Sequence, residues 1–117
     1  DIKGNKANYI YSKTYTGNGK LYGYFNVPGY VSNPPDYVND KSMQTFEIDV
    51  YNKTVKKMNF DGTTGWSCSQ CKAGDYMVFG MASTQGTGYY LYNYKEDKYE
   101  PLKIKTEGNP FKIQYLK

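Results

Sequence analysis

Hydrophobic and polar positions alternate with a period of two along much of this chain, and glycine, proline and asparagine clusters interrupt the alternation at short intervals. The clearest case is residues 45–51. Phe46, Ile48 and Val50 fall on one side, and Thr45, Glu47, Asp49 and Tyr51 on the other, which is the pattern of a half-buried strand. Residues 76–82 form the most apolar run; short, β-prone and bounded by Gly74 and the polar residues 83–86, they predict a central strand buried on both faces. Aromatic segments at 7–15, 20–27, 54–60, 89–94 and 99–105 predict further strands, and Phe111, Ile113 and Tyr115 alternate with Lys112 and Gln114 in a last one at 111–116. Gly17 and Gly19 mark a turn that needs positive φ. Residues 28–42, with Pro28-Gly29, Pro34-Pro35 and Asn39-Asp40, make the longest loop, a length that goes with function or mobility. No segment carries a helical period. About eight short strands between turn signals predict an all-β chain, a single antiparallel β-sandwich or small barrel spanning 1–117 as one domain. The expected core is Phe46, Ile48, Val50, Met77, Phe79 and Met81, with Leu91 and Ile113 packing nearby.

Composition narrows the chemistry. All 15 cations are lysine, and there is neither arginine nor histidine. Without histidine there is no imidazole general base, no Ser-His or Cys-His nucleophile pair and no His metal ligand. Without arginine there is no bidentate phosphate clamp. Two cysteines do not fill a closed zinc site, and no glycine-rich phosphate loop opens a helix. Glu47 and Asp49 share a strand face as a glycosidase-like pair could, but such a pair is far more often solvated surface. No catalysis, cofactor or metal is therefore expected. A net charge of +4 with interleaved Lys and Tyr is compatible with nucleic-acid stacking platforms, yet the lysines are scattered and acids are mixed among them, so no nucleic-acid partner is expected. No stretch has the length of a spanning helix, and no membrane insertion is expected.

Cys68-Ser69-Gln70-Cys71 is the one motif of chemical interest. With Lys72 after it and Trp66 upstream it resembles the thioredoxin active site, which would imply a redox dithiol. That chemistry needs the first cysteine at a helix N-terminus, whereas here a strand follows directly. A structural disulfide between Cys68 and Cys71, locking the loop that presents Trp66, is the expected state, with free or intermolecular thiols as the alternative. A disulfide implies an oxidising compartment, hence an extracellular or cell-surface location. Asn52-Lys53-Thr54 is a glycosylation sequon at a hairpin corner, meaningful in a eukaryotic source.

Two partial resemblances concern the second half. Residues 71–80 are similar to a strand of netrin-type and metalloproteinase-inhibitor-type OB barrels, which would imply an inhibitor-like domain; those inhibitors act through an N-terminal Cys, and Asp1 stands here. Residues 74–102 resemble a repeat hairpin of propeller blades, but a closed propeller needs at least about four blades of some 40 residues.

Tyrosine is in large excess, 15 residues against 5 Phe and 1 Trp. Its amphipathic ring suits half-buried sheets and sticky surfaces alike. The expectation is a non-catalytic secreted or cell-surface binding domain for a glycan or surface protein, with Trp66, Tyr89, Tyr90, Tyr92 and Tyr94 as the recognition patch. The alternative is a self-assembling structural subunit whose partners are other copies of itself.

Overall fold

The computed structural model describes residues 10–36, 38–65 and 67–108. The expected strand at 111–116, with Ile113, lies outside the described residues. Eight strands follow in order: β1 (Ile10–Tyr15), β2 (Lys20–Asn26), β3 (Met43–Asp49), β4 (Thr54–Lys57), β5 (Cys68–Ala73), β6 (Tyr76–Ser83), β7 (Gly86–Asn93) and β8 (Lys98–Lys105). A single 3-10 turn at Pro28–Tyr30 is the one helical element described. β1-β2-β3-β4 and β5-β6-β7-β8 form two four-stranded meanders in chain order, every pairing antiparallel. The sandwich of the expected class forms, and among the described residues the strands run as meanders and not in the Greek-key order of an OB barrel.

The sheets meet through aromatic rings. Tyr22 and Tyr24 on β2 stand edge-on to Tyr92 and Phe79 of the second sheet, each pair with centroids 5.8 Å apart. Met77, Phe79 and Met81 are fully buried beneath them, as expected. On the other face of β6, Tyr76 and Val78 are only half-buried while Gly80 and Ala82 are buried, so the strand is buried on both faces only in its second half.

The alternation in β3 has the expected period but the opposite sign. Pairing of Tyr22 with Glu47 and Tyr24 with Thr45 puts Glu47 and Thr45 on the inner face. Phe46 and Ile48 consequently lie on the outer face of the first sheet; Phe46 is fully buried there, as expected, packed against Phe25 at 4.9 Å, whereas Ile48 is half-buried. Val50 is 45% exposed in the turn beyond β3, and Leu91 is half-buried on the outer face of the second sheet. The physical reason is that the β2 tyrosines carry more ring area than the β3 aliphatics, and Glu47 answers a tyrosine hydroxyl inside the sandwich at 2.7 Å. A polar strand face becomes an inner face when its partner strand supplies amphipathic rings.

β5 is a strand where a loop was expected. Its six residues have no apolar alternation, yet each pairs with β6 from Cys68 opposite Met81 to Ala73 opposite Tyr76. The two sheets approach where β1 runs beside β5, and the Gln70 amide donates to the Ser12 hydroxyl at 3.1 Å. Elsewhere, the chain leaves the sheet after Lys57 and packs Met58 and Phe60 against the core.

Candidate functional site

The residues nominated from sequence do not form one surface. Trp66 lies outside the described residues. β7 alternates, so its tyrosines divide between faces. Tyr90 and Tyr92 point into the core, 0% and 4% exposed, while Tyr89 is half-buried on the opposite face and Tyr94 is half-buried just past the strand end. A contiguous run of tyrosines in a strand cannot be a single patch, which corrects the expected site.

The hydroxyls explain why tyrosine, and not phenylalanine, fills this core. Tyr92 donates to the Asp97 carboxylate at 2.7 Å, Tyr99 to Asp61 at 2.8 Å and Tyr22 to Glu47 at 2.7 Å. Tyr24 donates to the Ser69 carbonyl at 3.1 Å, Tyr90 to that of Gly86 at 2.6 Å and Tyr94 to that of Gly74 at 2.7 Å. Each ring contributes apolar area while its polar tip is satisfied. Burial pushes the phenol pKa values of Tyr22, Tyr24, Tyr92 and Tyr99 up, and the neighbouring carboxylates push those of Tyr22, Tyr92 and Tyr99 further.

The expected disulfide is absent, because Cys68 and Cys71 are both free thiols. They sit three apart on one strand, on opposite faces and about 10 Å apart along it, beyond disulfide reach. Cys68 is in the core, its thiol donating to the Thr64 carbonyl at 3.1 Å and its pKa pushed up to about 12 by burial. Cys71 is half-buried on the outer face. Neither lies at a helix N-terminus.

Glu47 and Asp49 do share a face, but they are tied up. The Lys20 ammonium bridges them at 3.3 and 2.9 Å. Asp49 also accepts the backbone N–H groups of Asn52 and Tyr51 and the Asn52 amide. These bonds, led by the Asn52 N–H and joined by Lys20, hold its carboxyl well below the usual range. Asp49 thereby anchors the β3–β4 turn. Among the described residues no cluster of three or more His, Cys, Asp or Glu could hold a metal, and no helix is long and apolar enough to cross a membrane. A recess of about 230 Å³ beside Ile10, Tyr11, Ser12 and Lys13 is smaller than ordinary ligand pockets. The long loop is braced within itself, Asp40 accepting the N–H groups of Ser32 and Asp36.

Exposed aromatic surface gathers instead at the tips of the β1–β2 and β3–β4 hairpins. Cross-strand pairing lays Tyr15, Leu21, Ile48 and Val55 in one row on the outer face of the first sheet. The two turns beside this row are joined, the Val50 N–H donating to the Gly19 carbonyl at 2.9 Å. Tyr51 then lays its ring over Gly19, where any side chain would collide with it; Gly19 also holds φ at +79°, a value that favours glycine. The Gly19 N–H donates to the Tyr15 hydroxyl at 3.1 Å, and the neighbouring Tyr15 phenol raises the Tyr51 pKa. Tyr15, Val50 and Tyr51 remain 49%, 45% and 75% exposed. Asn18 is exposed in the first turn and accepts the Thr16 hydroxyl at 2.5 Å. The sequence marks both turns, yet its alternation puts Tyr51 on the Glu47 face; the turn after Asp49 breaks that phase and carries the ring to the other side. Comparison of the chain with protein-family models, curated proteins and solved structures finds no match.

Proposed function

We propose that this protein is a non-catalytic binding domain of the extracellular space or cell surface, and that it holds a glycan on the hairpin-tip platform of Tyr15, Val50 and Tyr51. The observation that carries the reading is the Tyr51 ring, three-quarters exposed yet seated directly on Gly19, whose N–H in turn donates to the neighbouring Tyr15 hydroxyl. An aromatic ring fixed before binding loses little entropy when a ligand stacks on it. Its flat face suits the C–H side of a sugar ring, and the amide of Asn18 offers hydrogen bonds beside it. The absence of histidine and arginine supports the non-catalytic part, as does the capture of Glu47 and Asp49 by Lys20. The location is proposed without the disulfide that first suggested it.

Self-assembly by strand addition is the weaker reading. The outer strands of the two meanders are blunted, β4 by its four-residue length with Lys56 and Lys57, and β8 by Pro101 and three lysines. A glycan array read with wild type and with Tyr51→Ala tests the proposal. Loss of the stacked ring is expected to weaken binding by about 1–3 kcal/mol, as for other aromatic stacking platforms, with the melting temperature unchanged. Trp66→Ala is the comparison arm: if it abolishes binding and Tyr51→Ala does not, the platform is misplaced. A wild type that binds no glycan and elutes as a large assembly would establish the structural-subunit reading.

A further inference from the structure

The ligand class follows from how charge is distributed around the same platform. Carboxylates near the hairpin tips turn inward: Glu47 and Asp49 are bridged by Lys20, and Glu47 also takes the Tyr22 hydroxyl. The lysines turn outward. Lys13 is exposed, and pairing of Lys13 with Gly23 and Tyr15 with Leu21 sets Lys13 beside Tyr15 on the outer face, about 7 Å along the strand. Lys53 occupies the exposed β3–β4 turn two residues past Tyr51, with φ at +55°. Lys57 sits opposite Phe46 on the same outer face, its ammonium 5.6 Å from the centre of the Tyr30 ring. Among the described residues none of these three lysines makes an ion pair. Exposed phenol rings flanked by unpaired cations, with the local acids withdrawn, complement a ligand that is flat, hydroxylated and negatively charged.

Resting on the glycan reading above, we propose that the platform selects an acidic oligosaccharide, one bearing uronate or sulfate groups, with Tyr51 under a sugar ring and Lys13 and Lys53 on its anionic groups. A lysine ammonium is a compact point charge on a flexible stem and can follow carboxylates or sulfates spaced along a chain. An acidic peptide would satisfy the lysines alone and make no use of the braced ring, so the sugar is the better fit.

The test measures binding of an oligogalacturonate, a sulfated oligosaccharide, a neutral glucan oligomer and poly-glutamate over a range of salt concentrations. The proteins compared are wild type, the Lys13→Gln/Lys53→Gln double variant and Tyr51→Ala. The expected result is that one or both acidic sugars bind about ten-fold or more tightly than the neutral oligomer, the scale of one charge-assisted contact. That preference should shrink as salt rises. It should also vanish in the lysine variant, whose exposed substitutions leave folding intact, while Tyr51→Ala weakens binding of every sugar. Neutral and acidic sugars bound equally, with the lysine variant behaving as wild type, would overturn the selectivity and leave the glycan platform standing. Poly-glutamate bound as tightly as the acidic sugars and indifferent to Tyr51→Ala would overturn it in favour of an acidic protein partner. No sugar bound at all would bring down the platform itself.

Discussion

Phe60 lies flat against Tyr99, with ring centroids 4.4 Å apart and planes 13° from parallel. The two come from opposite halves of the sandwich: Phe60 lies in the segment after β4, and Tyr99 is the second residue of β8. Tyr92 adds a third ring at 4.9 Å from Phe60, so the segment after β4 joins the first sheet to the second without any backbone pairing between β4 and β8. Removing the ring by Phe60→Ala should cost about 3 kcal/mol, the low end for a large aromatic because Phe60 is only partly buried. Chemical denaturation would show this as a lower midpoint with an unchanged slope. An unaltered midpoint would mean the sheets are held together without this stack.

Tyr22→Phe separates ring from hydroxyl. The ring is 1% exposed and survives the change, but Glu47 loses a donor at 2.7 Å while keeping Lys20. A hydrogen bond to a charged group is worth about 1.5–3 kcal/mol, and the variant should be destabilised by about that amount. A neutral substitution would indicate that Lys20 and water fully replace the phenol.

The cysteines should report different surroundings. In the native, unreduced protein an aromatic disulfide reagent should label Cys71 readily and Cys68 hardly at all, since burial holds the Cys68 pKa near 12 and a thiolate is the reactive species. Denaturant should then release the second thiol. No reactive thiol even in denaturant would mean that the two are bridged after all.

Alkaline pH should unfold this protein through its tyrosines. Tyr22, Tyr24, Tyr92 and Tyr99 have folded pKa values raised above the ordinary phenol value. The folded state therefore holds those protons more tightly than the unfolded state. Their contribution to stability is complete below about pH 10, the usual phenol pKa, and falls as pH rises beyond it. Phenolate absorbance should show these four groups ionising together with the loss of structure. Smooth, reversible ionisation of all the tyrosines with the fold intact would contradict their burial.

Much of the fold was legible because it is written locally. Turn residues such as Gly17 and Gly19, and the apolar run at Met77, Phe79 and Met81, mark strands and their limits through backbone sterics and a two-residue period, which need no knowledge of neighbours. That was enough for an all-β chain in antiparallel hairpins and for a buried β6 inner face. It was not enough for β5, whose polar residues are held as a strand by pairing with β6 and not by any propensity of their own.

Which face of a strand turns inward is a different kind of question. The alternation in β3 is symmetric: it separates Phe46 and Ile48 from Thr45 and Glu47 but does not say which pair meets the other sheet. Tertiary packing decided it, because Tyr22 and Tyr24 on the neighbouring strand fill the interior and Glu47 receives a hydroxyl there. The same ambiguity moved the candidate site. Composition established that tyrosine would dominate and that histidine and arginine chemistry was closed to this chain. Only the folded register could show that Tyr90 and Tyr92 are core, and that Tyr15 and Tyr51, far apart in sequence, share one exposed surface. A side chain's burial is a property of what packs against it, and for an amphipathic ring that partner is supplied from elsewhere in the chain.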